Sequence, residues 1–169
     1  EATIGARRPV RLGALYLPNG NPWPGPRFDY KLRWMERLRA RGRDLLRSEM
    51  PCILLGDFNV IPEPRDAANP EKWRDDALFR PESRAGLRRI LHEGWADAIR
   101  LRDPDNPRGP FTFWDYKGNA FARDDGIRID HVLLSPQAAD RLIDAGVDRD
   151  ERARDKPSDH VPVWVDLED

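Results

Sequence analysis

Five polar residues occur where the sequence predicts that strands begin or end, and their side chains are of types that bind metal ions or move protons. Asp57 ends the apolar run CILLGD, and Asn59 follows two positions later, so in an extended chain the two side chains point the same way. Asp130 lies within IRIDHVLLS, and the pair Asp159 and His160 comes before the last apolar stretch. Carboxylate and amide oxygens suit hard cations such as Mg²⁺ or Mn²⁺. The pattern indicates a site at strand ends, where α/β folds hold their ligands.

Each of these residues also has a plain structural explanation. GDFN could be an ordinary turn whose polar side chains bond the local backbone, and SDH could be a turn before a strand. Asp130 could form an ion pair with Arg128 or Arg123. We predict no chemical role for His92 or His131. The collection of several such residues at strand ends favours a site.

The strands and helices that would position these residues follow from the hydrophobic pattern. PVRLGALYL and PCILLGD are predicted strands, and the apolar spacing in FDYKLRWMERL predicts a helix between them. A second helix is expected to run from a cap at Ser83 to Leu91. FTFW and IRIDHVLLS are predicted to be neighbouring strands, and a helix is predicted from Ser135 to Ala145. The alternating valines of SDHVPVWVDL predict a closing strand that begins at the Asp-His pair.

Composition limits the class of protein. A chain of 169 residues suffices for one domain, and a net charge of −1 does not by itself indicate a nucleic-acid partner. The single cysteine, Cys52, excludes a disulfide framework and a thiolate zinc site, and it suits a reducing compartment. The sequence shows no apolar run of membrane-spanning length and no signal peptide. We therefore expect a soluble cytoplasmic protein.

Five motifs occur together in an order and spacing that resemble exonuclease III. They are YLPN from Tyr16, GDFNV from Gly56, TFWDY from Thr112, GIRID from Gly126 and SDHVP from Ser158. GDFN and SDH recur across the endonuclease/exonuclease/phosphatase superfamily, whereas TFWDY and GIRID are typical of its DNA-repair branch, the AP endonucleases. The resemblance covers nearly the whole chain, from Leu12 to Leu167.

The resemblance implies roles in catalysis for five residues. Asp57 would orient or deprotonate the attacking water, and Asn59 would bind the attacked phosphate or the metal. Asp130 would accept a hydrogen bond from His160, which would stabilise the phosphate oxygens or act in acid-base catalysis. Tyr16 would place its phenol near the phosphate. Whether Asp57 or His160 is the base is left open.

The resemblance also implies a metal site and its ligands. The implied ligands are Asp57, Asn59, Asp159 and His160. Mg²⁺ is the expected cofactor, with Mn²⁺ as the alternative.

Further residues are implied to bind the substrate. Phe113, Ile127 and Ile129, with Trp114 nearby, would form an apolar pocket for a sugar that lacks its base. Packing in the core is the alternative, and we favour it for Trp114. Asn19 would donate to the phosphate, and Lys31 is expected to contact the DNA backbone, together with Arg123 and Lys117.

The expected fold is α/β (α+β), the C-terminal half of a four-layer sandwich with helices outside two packed, mainly antiparallel sheets. Residues 1–169 would form a single partial domain, because the N-terminal half of the family's domain, with its metal-binding Glu, has no counterpart here. The inner face of the sheet would then be exposed and prone to association.

The expected function is that of an exodeoxyribonuclease III-like DNA-repair hydrolase that uses Mg²⁺. It would cleave 5′ to abasic sites and degrade double-stranded DNA from 3′ ends, in the cytoplasm of a bacterium near the nucleoid and away from membranes. The complete protein would be a monomer, and this piece alone would be weak or inactive.

Two other functions are compatible with the same residues. A phosphatase or phosphodiesterase of the superfamily, acting on a small or lipid substrate, would share Asp57, Asn59, Asp130 and His160 and differ in its pocket. A non-catalytic DNA-binding remnant would keep the motifs by descent.

Overall fold

The computed structural model describes residues 1–5 and 7–168. These residues contain two β-sheets and four α-helices, joined by loops and short 3-10 helices. The strands are β1 (Ala2–Ile4), β2 (Val10–Tyr16), β3 (Cys52–Asp57), β4 (Ala96–Asp97), β5 (Asp130–Leu134), β6 (Leu142–Val147) and β7 (Val163–Leu167). The helices are α1 (Pro26–Arg47), α2 (Pro81–Leu91), α3 (Ala98–Arg102) and α4 (Pro136–Ala139).

The larger sheet has five strands in the order β1-β2-β3-β5-β4, and β6 pairs with β7 in a separate antiparallel ribbon. Within the larger sheet only β2 and β3 are parallel, and α1 makes the crossover between them. The tight approach of these two strands depends on Gly56, where a Cβ would lie 2.0 Å from the Leu15 carbonyl oxygen. The carboxyl ends of β2 and β3 therefore meet at one edge of the sheet.

The apolar core lies on both faces of this sheet, which explains the unbroken apolar run of β3. Alternate residues of that strand face opposite sides, because Cys52 and Leu54 pack towards α1 and α2, whereas Ile53 packs towards the ribbon. On the helix side, Met35 from α1 and Ile90 from α2 are each about 1% exposed. Between the larger sheet and the ribbon lies an apolar cleft of ≈ 430 Å³ lined by Val10, Leu12, Leu55, Val132, Val163 and Val165 among others.

Several of the predicted elements differ in the structure. The predicted helix to Ala145 ends at Ala139, and the following residues form β6, because pairing with β7 outweighs their local helix preference. Ser83 does not cap α2, which begins at Pro81. Its hydroxyl donates instead to the Ala77 carbonyl at 2.6 Å. FTFW forms only isolated bridges.

The predicted fold class is confirmed, since helices flank a mixed sheet and a second sheet packs on its other face. The closing strand is confirmed as β7, but its predicted start at the Asp-His pair is wrong, because the strand begins at Val163 and His160 forms an isolated bridge with Phe113. Within the described residues, no helix is both long and apolar enough to cross a membrane.

Candidate active site at the carboxyl ends of β2 and β3

Three of the predicted catalytic residues lie in a row across neighbouring strands. Tyr16 is the register partner of Asp57 in β3, and Asp57 is in turn the register partner of Asp130 in β5. Directly opposed residues of paired strands project from the same face, so the three side chains share one side of the sheet edge. Tyr16 is 69% exposed, and the two carboxylates are half-buried. The sheet therefore assembles a polar edge open to solvent.

Asn59 is held rigidly behind Asp57 by the turn that ends β3. Its backbone φ of 48° lies in the left-handed region, which asparagine tolerates better than most residues. Its backbone N–H donates to Asp57 Oδ1 at 2.7 Å, and its Nδ2 donates to Asp57 Oδ2 at 2.8 Å. Nδ2 also donates to the Leu17 carbonyl at 2.9 Å, which fixes the orientation of the amide because a carbonyl only accepts.

Asn19 extends this network towards the solvent. Its Nδ2 donates to Asn59 Oδ1 at 3.0 Å, so two amides and one carboxylate form a chain from the YLPN turn to the end of β3. Asn19 is exposed, whereas Asn59 is only 3% exposed. Asp57 and Asn59 thus contact each other through a local turn, the alternative given for GDFN, rather than as alternate residues of an extended chain. The structure adds Asn19 as their direct neighbour.

The electrostatics of the edge favour a proton acceptor at Asp57. Burial raises the pKa of Asp57 to about 6, helped by the neighbouring Asp130 charge and opposed by the hydrogen bond from the Asn59 backbone. A carboxylate that titrates near neutral pH can both exist in its basic form and accept a proton from a weak acid such as water. The position therefore supplies a group suited to general base chemistry.

His160 is paired with Asp130, as predicted. Its Nδ1 lies 2.8 Å from Asp130 Oδ2, and its ring contacts the Phe113 ring edge to face with centroids 5.0 Å apart. Burial acts to lower the pKa of His160, but the hydrogen bond and charge of Asp130 outweigh it, so the pKa is raised. The imidazole is thus biased towards the cationic form.

Thr112 is a residue of the site that sequence reasoning missed. It is fully buried, and its Oγ1 accepts from the backbone N–H groups of Ile129 and Asp130, both at 3.1 Å. Its carbonyl accepts from Val161 N–H at 2.9 Å. One residue therefore joins the segment that carries Asp130 to the segment that carries His160. Its place directly before Phe113 in the TFWDY motif was the available signal.

The loop of Asp159 is tied to the same segment. The Asp159 carbonyl accepts from Trp114 N–H at 2.9 Å, while its side chain is partly exposed and its charge helps to raise the pKa of His160. Asp159 therefore lies beside His160 at the site.

The alternative that Asp130 pairs with Arg128 or Arg123 does not hold. Arg128 is 1% exposed, and its guanidinium binds the carboxylates of Asp66 and Asp97, each at 2.7 Å. Arg123 lies 3.6 Å from a carboxylate oxygen of Asp125. Neither arginine pairs with Asp130, whose carboxylate pairs with His160 instead.

The predicted sugar pocket is only partly formed. Trp114, Ile127 and Ile129 are 1%, 1% and 3% exposed, which places their side chains in the core. For Trp114 this agrees with the packing alternative. The isoleucines pack with Ile61, Ala67 and Leu78, whose apolar surfaces account for their burial, and the partly exposed Phe113 lies at the edge of that cluster. Phe113 is the pocket candidate that reaches the site.

Lys31 does not lie where a DNA phosphate contact was expected. It projects from α1 into the interior with 0% exposure, and its ammonium donates to three backbone carbonyls: Asn19 at 2.9 Å, Asn59 at 2.6 Å and Ala77 at 3.2 Å. Burial lowers the pKa of Lys31 to about 7 against the opposing attraction of Asp76 and Asp57. The prediction was wrong because it assumed that Lys31, in a helix rich in arginine, faces the solvent. The ammonium group instead donates to carbonyls in the interior.

The residues at the edge provide part of a metal site. Asp57 and Asp130 are adjacent carboxylates whose charge a cation would offset; burial is the main cause of the raised pKa of Asp57, and the Asp130 charge adds to it. However, no group of three or more His, Cys, Asp or Glu side chains within residues 1–5 and 7–168 could hold a metal ion. The predicted ligands Asp57, Asn59, Asp159 and His160 thus do not complete a metal centre among themselves.

Comparison with known proteins finds similar sequences and structures among DNA nucleases. Exodeoxyribonuclease III of Haemophilus influenzae is 35% identical over 123 residues, which cover 69% of this chain and 46% of that protein. The structure of a 3′-5′ exonuclease from Neisseria meningitidis matches with a TM-score of 0.89 at 37% identity, and that of an AP endonuclease from Archaeoglobus fulgidus with 0.88 at 31%. Each match covers 94% of this chain and 61% of the solved chain. The resemblance to exonuclease III is confirmed.

The matches cover only part of the length of each of these relatives. The chain spans about half the length of the curated relatives it matches, 46% and 58% for the first two. The model of the Endonuclease/Exonuclease/phosphatase family, whose members are metal-dependent, matches residues 2–160. The chain therefore belongs to the Endonuclease/Exonuclease/phosphatase family.

Proposed function

We propose that the protein carrying this chain is an exonuclease III-like DNA-repair nuclease, and that the chain is the second half of its catalytic domain. The observation that carries the proposal is the register pairing of Asp57 with Asp130 across β3 and β5, together with the 2.8 Å contact between Asp130 Oδ2 and His160 Nδ1. The likeness to exodeoxyribonuclease III and to an AP endonuclease structure supports DNA as the substrate. The proposed reactions are incision 5′ to abasic sites and removal of nucleotides from 3′ ends of double-stranded DNA.

In the proposed chemistry, the charge of each side chain determines its role at the site. Asp57, as a carboxylate, accepts the proton of the attacking water. Asn59 orients Asp57, because both of its side-chain N–H groups donate inside the protein. Asn19 uses one amide N–H on Asn59 and directs the other towards the phosphate. His160, as an imidazolium backed by Asp130, stabilises the negative charge that develops on the phosphate oxygens. This assignment is supported by the raised pKa values of both groups, which favour a neutral-range base at Asp57 and a cation at His160.

The remaining site residues would bind the substrate. Tyr16, exposed at the end of β2, places its phenol beside the phosphate. Phe113 packs against the abasic sugar, and Ile127 and Ile129 support it from the core. Such an apolar surface favours a sugar whose base is missing over an intact nucleotide.

Mg²⁺ is the proposed cofactor, and its ligand set would be completed outside this chain. Asp57, Asn59, Asp159 and His160 would contribute from this half, where the described residues form no cluster of three sufficient for a metal. When bound, the ion would polarise the phosphate and lower the pKa of water. The piece of 169 residues is accordingly expected to be weak or inactive alone.

An incision assay tests the proposal. A labelled duplex with one abasic site is incubated with Mg²⁺ and the protein that carries the whole domain, with Asp57→Asn and Asp44→Asn compared. Asp44 is an exposed carboxylate on α1 whose partner is Arg47, so its replacement controls for loss of one negative charge. We expect incision by the wild type and by the Asp44 variant, and at least about a 100-fold loss for Asp57→Asn. Cleavage of a small phosphoester with no cleavage of DNA would favour the phosphatase alternative instead.

A further inference from the structure

We propose that Lys31 is a positioning residue that aligns the amides of Asn19 and Asn59 with Asp57, rather than a contact to DNA. The inference rests on the proposed function for its kinetic test, but its geometry is independent of the substrate. Lys31 Nζ lies within hydrogen-bond distance of three carbonyls, and an ammonium group has three protons to donate. Its capacity is therefore used up inside the protein.

The three carbonyls belong to segments that the strands alone do not hold together. Asn19 lies in the turn after β2, Asn59 in the turn after β3, and Ala77 in the long excursion before α2. The left-handed φ of 48° at Asn59 turns its carbonyl away from the β3 ladder and into the interior. A buried carbonyl without a donor is costly. Among the described residues, Lys31 is the donor to the carbonyls of Asn19 and Asn59, whereas the Ala77 carbonyl also accepts from Ser83 Oγ at 2.6 Å. The turns that carry Asn19 and Asn59 therefore depend on the lysine.

A second feature of the chain makes room for this side chain. Gly20 has φ +91°, and a Cβ built there would lie 2.7 Å from Lys31 Cδ and 3.3 Å from Lys31 Cβ. The YLPNG turn is thus shaped around the aliphatic stem of Lys31. The lysine and the glycine form one packing unit beneath the site.

Two hydrogen bonds connect this packing unit to Asp57. Lys31 holds the backbone of Asn19 and Asn59, their side chains bond each other at 3.0 Å, and Asn59 Nδ2 bonds Asp57 at 2.8 Å. A shift of either turn therefore moves the Asn19 donor that faces the phosphate and the hydrogen bonds that orient the base. Displacement of about 1 Å in such groups lowers turnover about 100-fold.

A phosphate contact and a positioning role predict different results for Lys31→Met. Methionine keeps the aliphatic stem and leaves the carbonyls of Asn19 and Asn59 without their donor, while the Ala77 carbonyl keeps Ser83 Oγ. Arg33→Met is the matched control, because Arg33 is an exposed cation two residues further along α1. For Lys31→Met we expect kcat on abasic DNA to fall about 100-fold, with KM and the salt dependence of DNA binding unchanged. Loss of a phosphate contact would instead raise KM and reduce the log–log salt slope by about 0.9.

Rescue and a spectroscopic readout complete the experiment. Lys31→Arg restores a cation with several donors and is expected to recover part of kcat. The side-chain amide resonances of Asn19 and Asn59 are expected to shift in Lys31→Met and to stay in place in Arg33→Met, which tests the positioning without any activity. Absence of incision by the wild type would defeat the proposed function, whereas unmoved amide resonances would overturn the role of Lys31. Failure of both Lys31 variants to fold would also overturn it, in favour of a purely structural lysine.

Discussion

Replacing Asp130 by Asn separates the electrostatic role of this carboxylate from its place in the fold. The substitution keeps the size of the side chain and an oxygen that can accept from His160 Nδ1, which lies 2.8 Å from Asp130 Oδ2. It removes one negative charge from between two titrating groups. Since that charge raises the pKa of both Asp57 and His160, we expect both pKa values to fall.

The magnitude follows from the character of the hydrogen bond. A hydrogen bond to a charged group contributes roughly 1.5–3 kcal/mol, and the His160 side chain is 32% exposed, so solvent screening favours the lower end. If the imidazolium stabilises the transition state, a loss of about 1.5 kcal/mol corresponds to about a tenfold lower kcat/KM. The loss is expected to grow as pH rises, because less of the variant's His160 is protonated.

Two assays check this prediction. The His160 and Asp57 side chains are titrated by NMR in the wild type and the variant, and kcat/KM on abasic DNA is measured against pH. Asp159→Asn is the control for the titration, because Asp159 acts on His160 through its charge and not through a hydrogen bond, so a smaller fall of the His160 pKa is expected. An unchanged His160 pKa in Asp130→Asn, or a pKa that rises, would refute the reasoning.

Two further predictions concern the stability of the chain. Because folding raises the pKa of Asp57 from 3.8 to about 6, the stability that this group contributes is fully present below pH 3.8 and is lost as pH rises through 6. Urea melts at a series of pH values measure the free energy of unfolding of the wild type and of Asp57→Asn. Between pH 3.8 and 6, the wild-type value should fall by about 3 kcal/mol relative to that of the variant. Unfolding free energies that change with pH in parallel in the two proteins would contradict this. Arg128→Met would leave the buried Asp97 without its arginine and would leave Asp66 with Arg100 alone, and it should cost about 3–5 kcal/mol. Arg102→Met, at an exposed ion pair, should cost under about 1 kcal/mol. Similar costs for the two arginine variants would show that the buried pairs contribute little.

The parts of the site that the sequence predicted correctly depend on local patterns. β3 is a continuous apolar run with both faces buried, so its end at Asp57 followed from the chain itself. The Asp130–His160 pair joins residues 30 positions apart, and it was predicted from the resemblance rather than from the pattern of residues. Local sequence therefore located the strand ends, and the family motifs indicated which of their side chains meet.

The errors arose where tertiary contacts outweigh local preference. The segment after Ala139 has helix-forming residues, yet it pairs with β7 as a strand. Lys31 lies in a helix rich in arginine, and nothing in the spacing of its residues shows that three carbonyls from distant turns converge on it. Thr112 likewise acts through backbone groups of a segment 17 positions away. Such contacts depend on the assembled fold.

The most direct test of the central claim is a double-mutant cycle on incision of an abasic-site duplex in Mg²⁺. It compares Asp57→Asn, His160→Asn and the double variant in the protein that carries the whole domain. If the two residues act as one catalytic unit, each single change should cost at least about 100-fold in kcat, and the double change should cost little more than the larger single one. Near wild-type incision by either single variant would contradict the assignment of the edge formed by β2, β3 and β5 as the active site.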